Sequence, residues 1–123
     1  MLDISHAATI ADVWNGLEIR ADLPGGPEDF YGKSGTKPSH DMREFDRHYL
    51  RCEGIVRREL ETFGVFMRDC SRAGMGLISP VQFFPRERIQ LWMKPERSYT
   101  LEIVRCRKIK ENCYECGSIF IVT

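Results

Sequence analysis

Residues 63–80 read FGVFMRDCSRAGMGLISP. Apolar side chains occupy every second position on both sides of a central polar stretch, at Phe63, Val65 and Met67 and then at Met75 and Leu77. A period of two is the pattern of a half-buried β-strand. The second row stops before Pro80, because proline cannot donate to a β-ladder. The stretch therefore predicts two strands joined by a turn over residues 69–74.

The same period continues in both directions along the chain. An earlier row contains Leu50, Cys52, Gly54 and Val56, and later rows lie at Ile89, Leu91 and Met93, over residues 99–109, and over residues 113–122. Parallel strands would need long crossover connections, and no convincing helix lies between these six rows. The pattern therefore predicts a mainly β fold, an antiparallel barrel or sandwich, and a closed barrel leaves no exposed edge.

The first 41 residues differ in composition, so we assign residues 1–41 to an N-terminal extension and residues 42–123 to the β domain. Residues 5–17 predict a short amphipathic helix that Ser5 could cap. Residues 24–39 are rich in proline, glycine, serine and charged residues, which is typical of a flexible linker.

Composition excludes several classes of function. The 123 residues suffice for one domain, and 18 basic residues balance 18 acidic ones, so no global basic field attracts DNA, RNA or an anionic membrane. No apolar stretch reaches the roughly 20 residues of a membrane span, and the N-terminus lacks a basic signal-peptide start. Five cysteines, an odd number at irregular spacing, favour free thiols in a reducing compartment. We therefore expect a soluble cytoplasmic protein.

Two polar motifs adjoin the first strands. The first is an arginine ladder, Arg43, Arg47 and Arg51, whose planar guanidinium groups can chelate a phosphate or a guanine edge. The second is the turn between the second and third strands. There Asp69 offers an acceptor, Ser71 can donate or accept, and Gly74 permits close approach to the backbone.

Each motif alone also has a simpler interpretation. Arginines beside acidic residues often form a solvated, ion-paired surface, and Asp-x-Ser-x-x-Gly is a common turn composition. In this order and on this strand pattern, however, the two motifs resemble the PilZ domain family. Its signature is Arg-x-x-x-Arg before the first strand and Asp/Asn-x-Ser-x-x-Gly after the second. The resemblance extends over about residues 42–120.

The resemblance implies a six-stranded antiparallel β-barrel that binds cyclic di-GMP and is not an enzyme. It places two arginines on phosphate and guanine, and the turn on guanine. The implied ligand-binding residues are Arg43, Arg47, Asp69, Ser71 and Gly74, with Arg51 and Arg68 as supplementary contacts. No metal and no cofactor are implied.

The ladder satisfies the arginine spacing in two ways, as Arg43 with Arg47 or as Arg47 with Arg51. We favour the first pair, because Leu50 and the alternate positions up to Val56 then form the inward face of the first strand directly after it. In that register Arg51 faces solvent or supplements the site.

Two other functions deserve comparison. The first is a zinc or redox site, because Cys113 and Cys116 have the Cys-x-x-Cys spacing. On a strand, residues three apart point to opposite faces, so the two sulfurs would diverge and such a site is disfavoured. The second is a degenerate barrel that binds a protein partner and no nucleotide. Our interpretation is a receptor or adaptor: cyclic di-GMP orders a mobile arginine arm, and the altered surface signals to a protein partner.

Overall fold

The computed structural model describes residues 13–35, 47–94 and 97–122. The strands are β1 (His48–Arg58), β2 (Glu61–Cys70), β3 (Met75–Ser79), β4 (Arg88–Met93), β5 (Arg97–Lys110) and β6 (Cys113–Phe120). They close into a barrel in the order β1-β2-β3-β6-β5-β4, and every neighbouring pair is antiparallel. The predicted mainly β fold, a six-stranded antiparallel barrel, is confirmed.

Two three-stranded meanders make up the barrel, β1-β2-β3 and β4-β5-β6. Within each meander, strands adjacent in sequence pair with one another. The meanders meet at two seams. The β1–β4 seam runs from Ile55↔Trp92 to Arg57↔Gln90, and the β3–β6 seam runs from Gly76↔Gly117 to Ser79↔Tyr114.

Alternate side chains fill the barrel, as the period of two predicts. The buried core includes Val56, Val65, Met67, Met75, Leu77, Phe83, Leu91, Leu101, Ile103 and Cys116. Val56 is fully buried, and Leu50 and Cys52 pack against the same cluster. The predicted inward face of β1 is therefore confirmed. The turn between β5 and β6 places Asn112 at a positive φ of 58°, a conformation that asparagine tolerates better than most residues.

Part of the N-terminal extension packs on the outside of the barrel. Leu23 and Phe30 form a second buried cluster with Ile78 and Cys113, whose side chains face away from the barrel interior. Nearby, the Asp22 N–H donates to the carbonyl of Asn112 at 3.0 Å. The extension thus adds an outer layer over β2, β3 and β6.

This layer contains a helix that the sequence did not predict, α1 (Gly26–Tyr31), within the stretch interpreted as linker. The glycines and the proline that suggested a linker instead begin the helix. Gly25 has a positive φ of 77°, and Pro27 lies in the first turn, where its missing N–H costs nothing. Phe30 then anchors the helix at 3% exposure.

Of the helix predicted over residues 5–17, residues 13–15 are helical, and residues 5–12 lie outside the described part. Leu17 and Ile19 pack against β2, where a Cβ added to Gly64 would approach their side chains to 2.7 Å. Among the described helices, none has the length and apolar character needed to span a bilayer.

Candidate ligand-binding site

A row of cross-strand neighbours runs over one outer face of the barrel: Tyr49, Asp69, Gly76, Gly117 and Arg105. The two glycines face outward, because the strand positions beside them point into the core and successive residues alternate. Both glycines are buried, because the Arg68 and Asp69 side chains lie over Gly76 and the Arg105 side chain lies beside Gly117. We call this row, which crosses the β3–β6 seam, the floor of the site. Asp69 stands at one end of the floor and Arg105 at the other.

Three β-bulges border this floor. The strand register shifts between Tyr49 and Cys52 in β1, between Met67 and Asp69 in β2, and between Ile103 and Arg105 in β5. A bulge redirects side chains that strict alternation would send to opposite faces, and bulges are frequent at barrel rims and binding sites. The β2 bulge brings the side chains of consecutive residues Arg68 and Asp69 together over Gly76.

The Asp69 carboxylate is the electrostatic centre of the site. It is completely buried, and its oxygens accept hydrogen bonds from Arg47 Nη1 at 3.0 Å and from Arg68 Nε at 3.1 Å. A buried carboxylate needs such partners, because removal from water costs an unpaired charge several kcal/mol. Arg47 and Asp69, which the two sequence motifs predicted separately, are therefore in direct contact.

Arg68 belongs to the scaffold of the site. Besides Asp69 it contacts Glu115 on β6, which also accepts a hydrogen bond from Arg107 on β5 at 3.4 Å. Burial alone would lower the pKa of Arg68, but the hydrogen bond to Glu115 and the charge of Asp69 raise it overall. Arg68 therefore remains charged and links the two meanders.

The turn after β2 is stabilised by the serine of the motif. Ser71 Oγ accepts hydrogen bonds from the N–H groups of Ala73 at 3.2 Å and Gly74 at 3.3 Å. Gly74 packs against the backbone of β6 so closely that an added Cβ would overlap the Ser118 carbonyl oxygen and come within 2.8 Å of the Ile119 Cα. Ser71 and Gly74 thus shape the turn that carries Asp69 to the floor.

The three arginines of the ladder are placed differently. Arg47 directly precedes β1 and holds Asp69, whereas Arg43 lies outside the described residues. Arg51 lies within the β1 bulge, with its guanidinium carbon 4.6 Å from the ring centre of Phe30 and 4.8 Å from that of Tyr49. Arg51 is thus partly buried beside the site. The pairing of Arg43 with Arg47 stays a prediction, because Arg43 lies outside the described residues.

Cys113 and Cys116 confirm the expected divergence on a strand, since Cys113 lies in the outer cluster and Cys116 in the barrel core. All five cysteines are free thiols. Burial raises the pKa of Cys116, and its contact with Cys106 raises it further. Within the described ranges, no three His, Cys, Asp or Glu residues are grouped closely enough to hold a metal ion.

Several residues of this site escaped sequence reasoning, namely Gly76, Gly117, Glu115 and Phe30. The one available signal was glycine within a strand pattern, which often marks close approach of another group. A Cβ at Gly76 would overlap Asp69 Oδ1 and lie 2.8 Å from Arg68 Nη2, so the bare position makes room for the ion pair.

Comparison with known proteins agrees with this geometry. The PilZ domain matches residues 41–121, which include all six strands and the floor of the site. No curated protein matches the chain. Because the match covers more than half of the 123 residues, the family is established. The chain belongs to the PilZ domain family, a family of cyclic di-GMP-binding modules.

Proposed function

We propose that this protein is a cyclic di-GMP receptor that responds to the second messenger by changing the surface it presents to a protein partner. The Arg47–Asp69 ion pair at the edge of the glycine floor is the observation that carries the proposal. It brings together a guanidinium fork and a buried carboxylate, the two kinds of group that a phosphate and a guanine edge require. Catalysis is not part of this function.

The chemistry of the ligand suits these groups. Two phosphates and two guanines require cationic forks and an acceptor for the guanine Watson–Crick edge. Asp69 would accept from that edge, while Arg47 would move from the carboxylate to a phosphate or to guanine O6 and N7. A carboxylate has about four lone-pair sites, so Asp69 can keep Arg68 while receiving the guanine. The sequence pattern favoured Arg43 as the partner of Arg47, and that pair stays a prediction. We propose Arg51 as the second guanidinium in its place, because the buried Nε of Arg51 has no acceptor within the described residues.

The exchange of the Arg47–Asp69 ion pair for ligand contacts is the conformational step that we propose. It would reposition the chain before β1 and so change the surface around the site. We also propose a cytoplasmic location, on the ground that five free cysteines suit a reducing compartment. We also propose that this altered surface is recognised by a protein partner.

The main prediction is that cyclic di-GMP stabilises the fold by mass action. At a concentration one hundred times Kd the gain is about 2.7 kcal/mol, which raises Tm by roughly 10 °C in a domain of this size. GMP at the same concentration should shift Tm far less, because it offers one guanine and one phosphate. Thermal unfolding monitored by fluorescence, together with calorimetric titration, measures both effects. Absence of both heat and thermal shift at saturating ligand contradicts the proposal.

A second prediction concerns the arginine ladder. Arg47→Ala and Arg51→Ala should each weaken cyclic di-GMP binding about tenfold or more, since a hydrogen bond to a charged group contributes roughly 1.5–3 kcal/mol. Lysine should restore only part of the affinity, because it lacks the planar fork. Arg88→Ala is the matched control, an exposed arginine paired with Glu102. A severe Arg43→Ala with a harmless Arg51→Ala would instead establish Arg43 and Arg47 as the pair.

The alternative function is a degenerate barrel that binds a protein and no nucleotide. Phe84, 55% exposed beside a fully buried Phe83, is the apolar side chain that favours a partner surface. The same titration separates the two functions. If cyclic di-GMP does not bind the unmodified protein, the alternative gains support. If it binds and the three ladder substitutions leave its affinity unchanged, the ladder is a solvated face and the ligand contacts lie elsewhere.

A further inference from the structure

The Arg51 guanidinium lies over two aromatic rings from different parts of the chain. Tyr49 belongs to the same strand, but Phe30 belongs to α1, outside the residues that match the PilZ domain. A guanidinium stacks through its faces and donates hydrogen bonds through its edge. Contact with two rings therefore restricts the orientation of Arg51, and its Nε is left without an acceptor in the described residues.

Phe30 is itself held firmly. Its ring packs edge-on against Phe66 of β2, with ring centres 5.4 Å apart, and it lies in the outer cluster with Ile78 and Cys113. Beyond α1, the carbonyl of Gly35 accepts a hydrogen bond from the N–H of Tyr49 at 2.8 Å. The segment 26–35 is thus attached to the barrel at two points, Phe30 and Gly35.

Arg51 differs from the other cations of the site in its partners. Arg47 and Arg68 each bind a carboxylate, whereas Arg51 forms no ion pair with any carboxylate of the described residues. Its buried Nε also lacks an acceptor within the described part of the chain. Burial lowers the pKa of Arg51, which reflects a charge that water and acidic groups compensate poorly. An anionic ligand would supply the missing acceptor.

We propose that Phe30 is a positioning residue of the ligand site, which holds Arg51 ready for the phosphate or guanine of cyclic di-GMP and couples the segment 26–35 to ligand binding. This inference rests on the proposed function. Because the ring orders Arg51 before the ligand arrives, less side-chain entropy is lost on binding. Coupling between two sites is reciprocal, so if the attachment of α1 favours ligand binding, bound ligand also strengthens the attachment of α1.

The test is a double-mutant cycle in the full chain with cyclic di-GMP as the probe. Phe30→Leu keeps an apolar side chain of similar size but removes the ring face, and should weaken binding about three- to tenfold. In an Arg51→Ala background the same change should have almost no further effect, since the residue acts through Arg51. Tyr31→Leu is the control, because Tyr31 lies on the same helix and touches Phe30 and Phe66.

A second measurement reports the reverse coupling. Hydrogen exchange of the amides in residues 26–35 should slow when cyclic di-GMP binds, and this slowing should disappear in Arg51→Ala. Equal losses of affinity from Phe30→Leu in both backgrounds, or from Phe30→Leu and Tyr31→Leu, would assign Phe30 to packing alone and overturn the inference. If the unmodified protein binds but Phe30→Leu binds equally well, only the inference fails. If the unmodified protein does not bind, the proposed function fails first and the inference with it.

Discussion

Asp69→Ala is expected to lower the free energy of unfolding by about 3–5 kcal/mol, the usual cost of removing one partner from a buried ion pair. Arg47 and Arg68 both donate to this completely buried carboxylate. The change therefore removes an ion-pair partner from two guanidinium groups. Binding of cyclic di-GMP should fall as well, since the guanine loses its acceptor. Urea unfolding measures the first effect and calorimetry the second.

Two variants sharpen this test. Asp69→Asn keeps an acceptor oxygen without the charge, so its effects on stability and binding should be milder than those of alanine. Glu111→Ala removes a carboxylate whose ion pair with Lys108 is exposed, and it should change neither quantity appreciably. Normal stability and normal affinity of Asp69→Ala together would show that the carboxylate neither organises the site nor receives the ligand.

The second large effect is expected at Gly74. An alanine Cβ would overlap the Ser118 carbonyl oxygen, and neither backbone can yield without disturbing the contact between the turn and β6. We expect a loss of about 3 kcal/mol in the free energy of unfolding, at the upper end of ordinary overpacking. Displacement of the turn should also reduce cyclic di-GMP binding, because Asp69 begins the same motif.

Gly117→Ala is the matched control for stability. Its Cβ would lie 3.4 Å from Arg105 Nε, at the end of a flexible side chain, so its effect on the unfolding midpoint should be small. Chemical denaturation of both variants gives the comparison. If Gly74→Ala is as stable as Gly117→Ala, the turn does not pack against β6 as closely as the structure indicates.

The strands were predictable because their signal is local. Alternation at Phe63, Val65 and Met67 reports a buried face whatever lies on the neighbouring strand, and Pro80 marks the end of β3 from sequence alone. Only the family resemblance indicated that Arg47 and Asp69 belong to one site. Spacing along the chain contains no information on which distant groups meet.

The parts of the site that were missed depend on neighbours across the sheet. Gly76 and Gly117 read as ordinary strand glycines until β3 is paired with β6, and a bulge at Arg68 leaves no mark in a single sequence. Phe30 was hidden for a different reason. The glycines and proline before it suggested a linker, although the same residues can begin a helix once an aromatic side chain finds a buried position.

The two meanders also have a consequence for the order in which the chain folds. Each can form from neighbouring segments, but the seams join strands far apart in sequence, and such non-local pairings are slow to form. Gly76 and Gly117 form a residue pair at one of these seams. A molecule bound at this seam would contact both halves of the barrel. The second messenger would then stabilise the pairing of β3 with β6, one of the two pairings that close the barrel.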